Sequence, residues 1–75
     1  MAIQYLDLTI RERTAVIVFA LAEGQTFTTA EVARRVNITR QGAWYLLNAI
    51  SRLLPITQDD EGIWRRVVLD EISEI

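Results

Sequence analysis

The sequence predicts a mostly α-helical domain of three helices closed by a small β-hairpin. Three observations predict it. Two capping boxes, Thr9 with Glu12 and Thr28 with Glu31, mark two helix starts. In such a box the hydroxyl and the carboxylate each satisfy a free backbone N–H at the helix end. A tight break at Asn37-Ile38-Thr39 then divides one apolar-patterned stretch into two helices. Finally, two short runs, Ile56-Thr57-Gln58 and Ile63-Trp64-Arg65-Arg66-Val67, flank the polar turn Asp59-Asp60-Glu61-Gly62. Strand-forming runs around a turn that ends in glycine read as a hairpin.

The chain has 75 residues, enough for one small domain over residues 1–75. Residues 1–8 read as an arm, with Ile3, Tyr5, Leu6 and Leu8 apolar. It is expected either to pack on the domain or to reach a partner. The first helix runs from Thr9 to about Glu23 and stops at Gly24, a natural left-handed residue after a helix. Ile10, Thr14, Ile17 and Leu21 form one stripe at helical spacing, and Val16, Val18, Phe19 and Ala20 make the other faces apolar too. A helix that is apolar nearly all round needs cover on more than one side. Gln25 to Phe27 reads as a short strand.

The second helix covers about Ala30 to Val36, and Asn37 takes the turn, where asparagine tolerates a left-handed backbone. Thr39 caps the third helix, expected to reach about Leu53 before Pro55 ends it. Val32, Val36, Ile38 and Leu46 offer large apolar contacts, with Ala33 and Ala43 small where two helices approach. Trp64 is expected beneath the hairpin as core. Leu69, Ile72 and Ile75, at spacing three, fit a short amphipathic helix over 69–75.

Composition excludes several function classes. There is no histidine and no cysteine, so the commonest general base, the commonest metal ligand and every thiolate site are missing. No glycine-rich phosphate loop and no pair of acids in apolar sequence appears, so no enzyme, cofactor, metal site or small-molecule substrate is expected. The longest apolar run, Ala15 to Ala22, is too short to span a bilayer. The N-terminus lacks the pattern of a secretory signal. A soluble, cytoplasmic protein is expected.

Formal net charge is −2, but the charge is unevenly placed. From Arg11 to Arg52 there are six arginines and three acids, whereas Leu53 to Ile75 holds six acids and two arginines. The positive half coincides with the helices around Asn37, and there is no lysine. Arginine suits paired contacts to phosphate and guanine.

The stretch Thr28 to Leu47 resembles the helix-turn-helix of DNA-binding regulators. In that family a small residue on the first helix faces the second, and an apolar turn residue plugs the gap between them. The order of elements resembles a winged helix-turn-helix of the DeoR or WYL-regulator N-terminal type. The matching residues are Glu31-Val32-Ala33, Val36, Ile38, Thr39, Leu46 or Leu47, and Pro55-Ile56 leading into the hairpin, and the resemblance covers about residues 9–68. It implies double-stranded DNA as partner, with the third helix in the major groove. The chain departs from the pattern at Gly42, in the first turn of that helix, and in its acidic wing tip. The tip is expected to repel the DNA backbone. The sensor domain of the larger regulators has no counterpart in these residues.

The resemblance implies a set of DNA contacts. Arg40 and Gln41 would face base edges, with Thr39 at the helix start. Trp44 and Tyr45 would touch sugar or a thymine methyl, or anchor a protein partner; Trp44 is expected to be the more exposed. Asn48 and Arg52 lie one and two turns on and face phosphate or water. Thr28, Thr29, Arg34 and Arg35 are phosphate candidates, the arginines alternatively pairing with Glu31 or other surface acids. Of Arg65 and Arg66, one is expected to offset the acidic tip and the other to reach DNA. Gly42 is expected to let the backbone come near phosphate or, in preference, the neighbouring helix. A homodimer through the first helix and the terminal segments is the expected assembly. The competing expectation is a winged-helix module that binds protein with little or no DNA binding.

Overall fold

The computed structural model describes residues 8–67. The expected arm, Leu8 apart, and the expected helix over 69–75 lie outside the described residues. The described chain runs α1 (Ile10–Ala22), β1 (Phe27–Thr28), α2 (Thr29–Val36), α3 (Arg40–Ser51), β2 (Ile56–Gln58) and β3 (Ile63–Arg66).

Both capping boxes form. The Thr9 hydroxyl accepts from Glu12 N at 3.1 Å while the Glu12 carboxylate accepts from Thr9 N at 2.8 Å. Thr28 and Glu31 do the same for α2, at 3.0 and 2.8 Å. Gly24 ends α1 with φ +102°, a conformation that favours glycine. Asn37 is left-handed at φ 67°, and Ala33 O accepts from both Asn37 N and Ile38 N. That double acceptance ends α2 and fixes the turn. Thr39 then caps α3 by accepting from Gly42 N at 3.0 Å.

The third helix stops at Ser51, short of the expected Leu53. Leu53 N and Leu54 N both donate to Ile50 O, which closes the helix before Pro55. Val67 N then donates to Pro55 O, tying the chain after β3 to the start of β2.

The strands form one antiparallel sheet in the order β1-β3-β2. The β-hairpin expected from sequence is thus widened by a third strand, at 27–28 rather than 25–27. Trp64 pairs with Phe27 on one side and Gln58 on the other. Three helices and a three-stranded antiparallel sheet make an arrangement compatible with a winged helix.

The core joins Ile17, Ala20 and Leu21 of α1 with Val32, Ala33 and Val36 of α2 and Ala43, Leu47 and Ile50 of α3. Phe27, Ile56 and Trp64 close it from the sheet. Ala43 is fully buried, as expected of a small residue between helices, and Leu47, not Leu46, is the fully buried leucine of α3; Leu46 and Ile38 pack partly buried against the core. The expected α1 stripe is half realised. Ile17 and Leu21 are buried, but Ile10, in the first turn, is 54% exposed. Val16 and Phe19 face outward, Phe19 at 66%. No helix among the described residues is long and apolar enough to cross a membrane.

Candidate nucleic-acid interface

The phase of α3 sets the site. With Ala43, Leu47 and Ile50 turned to the core, helical geometry turns Gln41, Trp44, Tyr45, Asn48 and Arg52 to the opposite side. All but Asn48, which is half-buried, are exposed. Arg40, also exposed, stands beside this stripe at the helix start. Ala49 is exposed too, one turn after Tyr45. It is absent from the expected contacts because a small apolar residue carries no mark of function in sequence.

Trp44 is 46% exposed and Tyr45 60%, so Tyr45 is the more exposed of the two, against expectation. Successive residues step about 100° around a helix, so with Ala43 and Leu47 inward Trp44 stands on the flank of the buried side and Tyr45 nearly opposite it. Their rings meet edge to face, with centroids 5.5 Å apart at 75°. Asn48 Nδ2 donates to Trp44 O at 2.8 Å, which fixes the amide along the helix.

The α2 residues divide. Arg34 is exposed, and among the described residues no ion pair holds it. Arg35 lies with its guanidinium 5.6 Å from the Phe27 ring centroid, a cation–π contact that commits it partly to the fold. Neither forms an ion pair with Glu31. The Thr28 N–H bonded to it holds the Glu31 carboxyl below its ordinary range, and the charges of Arg35 and Arg34 act in the same direction. The start of α2 therefore already holds a carboxylate, which disfavours a phosphate at Thr28. Thr29 lies inside. It is 8% exposed, and its hydroxyl accepts from the Trp64 indole N–H at 3.0 Å. Its side chain is therefore removed from the surface on which the phosphate contact was expected. Thr39 is exposed, with its hydroxyl engaged as the α3 cap.

Gly42 also has a different setting from the expected one. A Cβ there would meet the Thr39 hydroxyl at 3.0 Å and Ile38 at 3.8 Å. The crowding comes from the turn before α3 rather than from the neighbouring helix.

The hairpin tip is partly neutralised from within. Asp59 accepts from Glu61 N at 2.9 Å and Ile63 N at 3.0 Å, and its other oxygen meets Arg65 Nη2 at 2.7 Å. The Ile63 N–H, then the Glu61 N–H and the Arg65 charge, hold the Asp59 carboxyl below its ordinary range. Asp60 and Glu61 remain outside the ion pair. Arg65 thus offsets the tip, as expected for one of the two arginines. Arg66 turns to the fold instead of away from it: its Nη1 donates to Ala22 O at 3.0 Å and supplies the cation that the last turn of α1 lacks.

Charge singles out the same surface. From Val32 to Gln58 the chain holds four arginines and no acid. Every side chain along α3 is therefore neutral or positive. Among the described residues no group of acids is placed to hold a metal ion. Set against known protein families, curated proteins and solved structures, the chain matches none.

Proposed function

We propose that this chain is a winged helix-turn-helix that binds double-stranded DNA, with α3 as the recognition helix. What carries the reading is the outward stripe of α3, Gln41, Trp44, Tyr45, Asn48 and Arg52, opposite its buried line and within a stretch free of acids. Arg40, at the start of α3, and Arg34, on α2, are exposed with no ion pair among the described residues. In helix-turn-helix proteins the start of the second helix of the motif meets base edges, which assigns base contacts to Arg40 and Gln41. Arg34 and Arg52 take phosphates. The acidic residues Asp60 and Glu61 keep the hairpin tip out of the groove. The proposed setting is transcriptional regulation in the cytoplasm.

A fluorescence-anisotropy titration with random-sequence duplex DNA across a salt series tests this. Log affinity is expected to fall linearly with log salt as counterions are released from the neutralised phosphates. Arg34→Ala should lower the slope by about one phosphate contact, and Arg40→Ala should weaken binding by roughly tenfold. Absence of binding at low salt by folded protein sinks the reading. The exposed Trp44–Tyr45 pair then favours the second reading, a winged-helix module that anchors a protein partner, since aromatic residues dominate such interfaces.

We place homodimer formation on the outer face of α1, where Val16 and Phe19 are exposed. Sedimentation velocity should show concentration-dependent association that Phe19→Ser reduces without loss of helicity. A wild-type protein that stays monomeric at high micromolar concentration removes this assignment.

A further inference from the structure

We infer that the outer face of α3 selects A·T base pairs, with Gln41 reading adenine and the Trp44–Tyr45 pair reading the thymine methyl. This rests on the DNA reading above and assigns the base composition of the site.

The four bases offer different edges in the major groove. Adenine presents an acceptor beside a donor, guanine two acceptors, cytosine a donor, and thymine an acceptor and a methyl group. The side chains on α3 can be matched to these edges one by one. The Gln41 amide carries a donor and an acceptor together, which complements adenine. Cytosine calls for an acceptor such as a carboxylate, and the chain has no acid from Val32 to Gln58. Guanine calls for arginine. Arg40, at the start of α3, can supply one such contact at the edge of the site, and Arg52 is at the far end of the helix, about three turns from Gln41, so the A·T preference belongs to the stripe from Gln41 to Tyr45.

The middle of the stripe holds neither amide nor charge. Trp44 and Tyr45 occupy it, both substantially exposed and braced against each other at 5.5 Å. Two rings that brace each other lose little further freedom on binding. Their carbon edges gain from an apolar neighbour, while the Tyr45 hydroxyl and the Trp44 indole N–H leave one polar atom on each ring for water or phosphate. The thymine methyl is the one apolar group the major groove presents. The exposed Ala49 methyl, a turn after Tyr45, extends the same apolar strip. The half-buried Asn48 donates an amide N–H to the backbone carbonyl of Trp44, which commits part of its amide to the helix.

Competition anisotropy with three duplexes of equal length tests the inference on the full chain. The first alternates A and T, the second alternates G and C, and the third replaces every thymine of the first by uracil. Uracil keeps the pairing and the groove acceptor and removes only the methyl. The A·T duplex is expected to bind about tenfold more tightly than the G·C duplex, as for one paired base contact. The uracil duplex should be weaker than the thymine duplex by about fourfold for each methyl that a ring would have covered. That difference should vanish in Trp44→Ala/Tyr45→Ala, whose helicity is checked by circular dichroism. Equal affinity for all three duplexes, with salt dependence intact, overturns the inference and leaves the DNA reading standing. Equal affinity for the uracil and thymine duplexes overturns the methyl contact, and an A·T preference that Gln41→Ala leaves unchanged overturns the adenine contact, because groove width then supplies the preference. Failure to bind any duplex overturns both.

Discussion

Trp64→Ala is expected to leave most of the protein unfolded or close to it at 25 °C. Trp64 is buried in β3, the central strand of the sheet, between Phe27 and Gln58. Truncating a buried aromatic to alanine costs about 3–5 kcal/mol. A domain of this length has a total stability of roughly 4–11 kcal/mol. The Trp64 indole N–H also donates to the buried Thr29 hydroxyl. Its removal strands that hydroxyl, and a buried polar group without a partner adds about 1–3 kcal/mol. Two further variants separate the contributions. Trp64→Phe retains much of the volume but still strands Thr29. Adding Thr29→Val to it removes the stranded hydroxyl and should recover part of the loss. Urea denaturation at constant m reads all three. A cost below about 1 kcal/mol for Trp64→Ala contradicts a core position for this side chain.

Leu47→Ala should cost about 2–5 kcal/mol, whereas Leu46→Ala should cost less than half as much. Leu47 is 0% exposed and Leu46 is half-buried. Adjacent leucines on a helix differ by about 100° in direction, so their relative cost measures the rotation of α3 about its axis. That rotation determines which side chains face DNA. If Leu46 proved the costlier, α3 would be turned by one residue. Gln41, Trp44, Asn48 and Arg52 would then no longer be centred opposite the core, and the proposed interface would lose its basis. Chemical denaturation of the two single variants decides this without any knowledge of the ligand.

Much of the fold was legible because its signals are local. A hydroxyl three residues before a carboxylate, an asparagine in a turn and a glycine after a helix act within a few residues of backbone. Thr9, Gly24, Thr28, Asn37 and Thr39 all behave as their local chemistry predicts. The α3 stripe was legible for the same reason, since helical spacing relates Gln41, Trp44, Asn48 and Arg52. The misplaced side chains depended on distant parts of the chain. Thr29 reads as an exposed residue at a helix start, but its hydroxyl meets an indole 35 residues away. Arg66 reads as one of two strand arginines, one of them expected to reach DNA, and its guanidinium meets the end of α1, 44 residues back. Ile10 fits the apolar stripe of α1 yet is 54% exposed.

The amino-acid sequence by itself determined the helices and their order, the turn at Asn37, the hairpin at Asp59 to Gly62 and the positive stretch around α3. Each follows from backbone satisfaction or side-chain periodicity over short distances. Tertiary structure alone decided that Leu47 rather than Leu46 is fully buried, that Thr29 faces Trp64, and that the exposed Arg35 and Arg66 meet the Phe27 ring and the end of α1 while Arg34 and Arg40 form no ion pair among the described residues. Those outcomes depend on how elements far apart in the chain share one small core. Burial is a property of the packed whole, and no local pattern encodes which of two adjacent apolar residues will meet it.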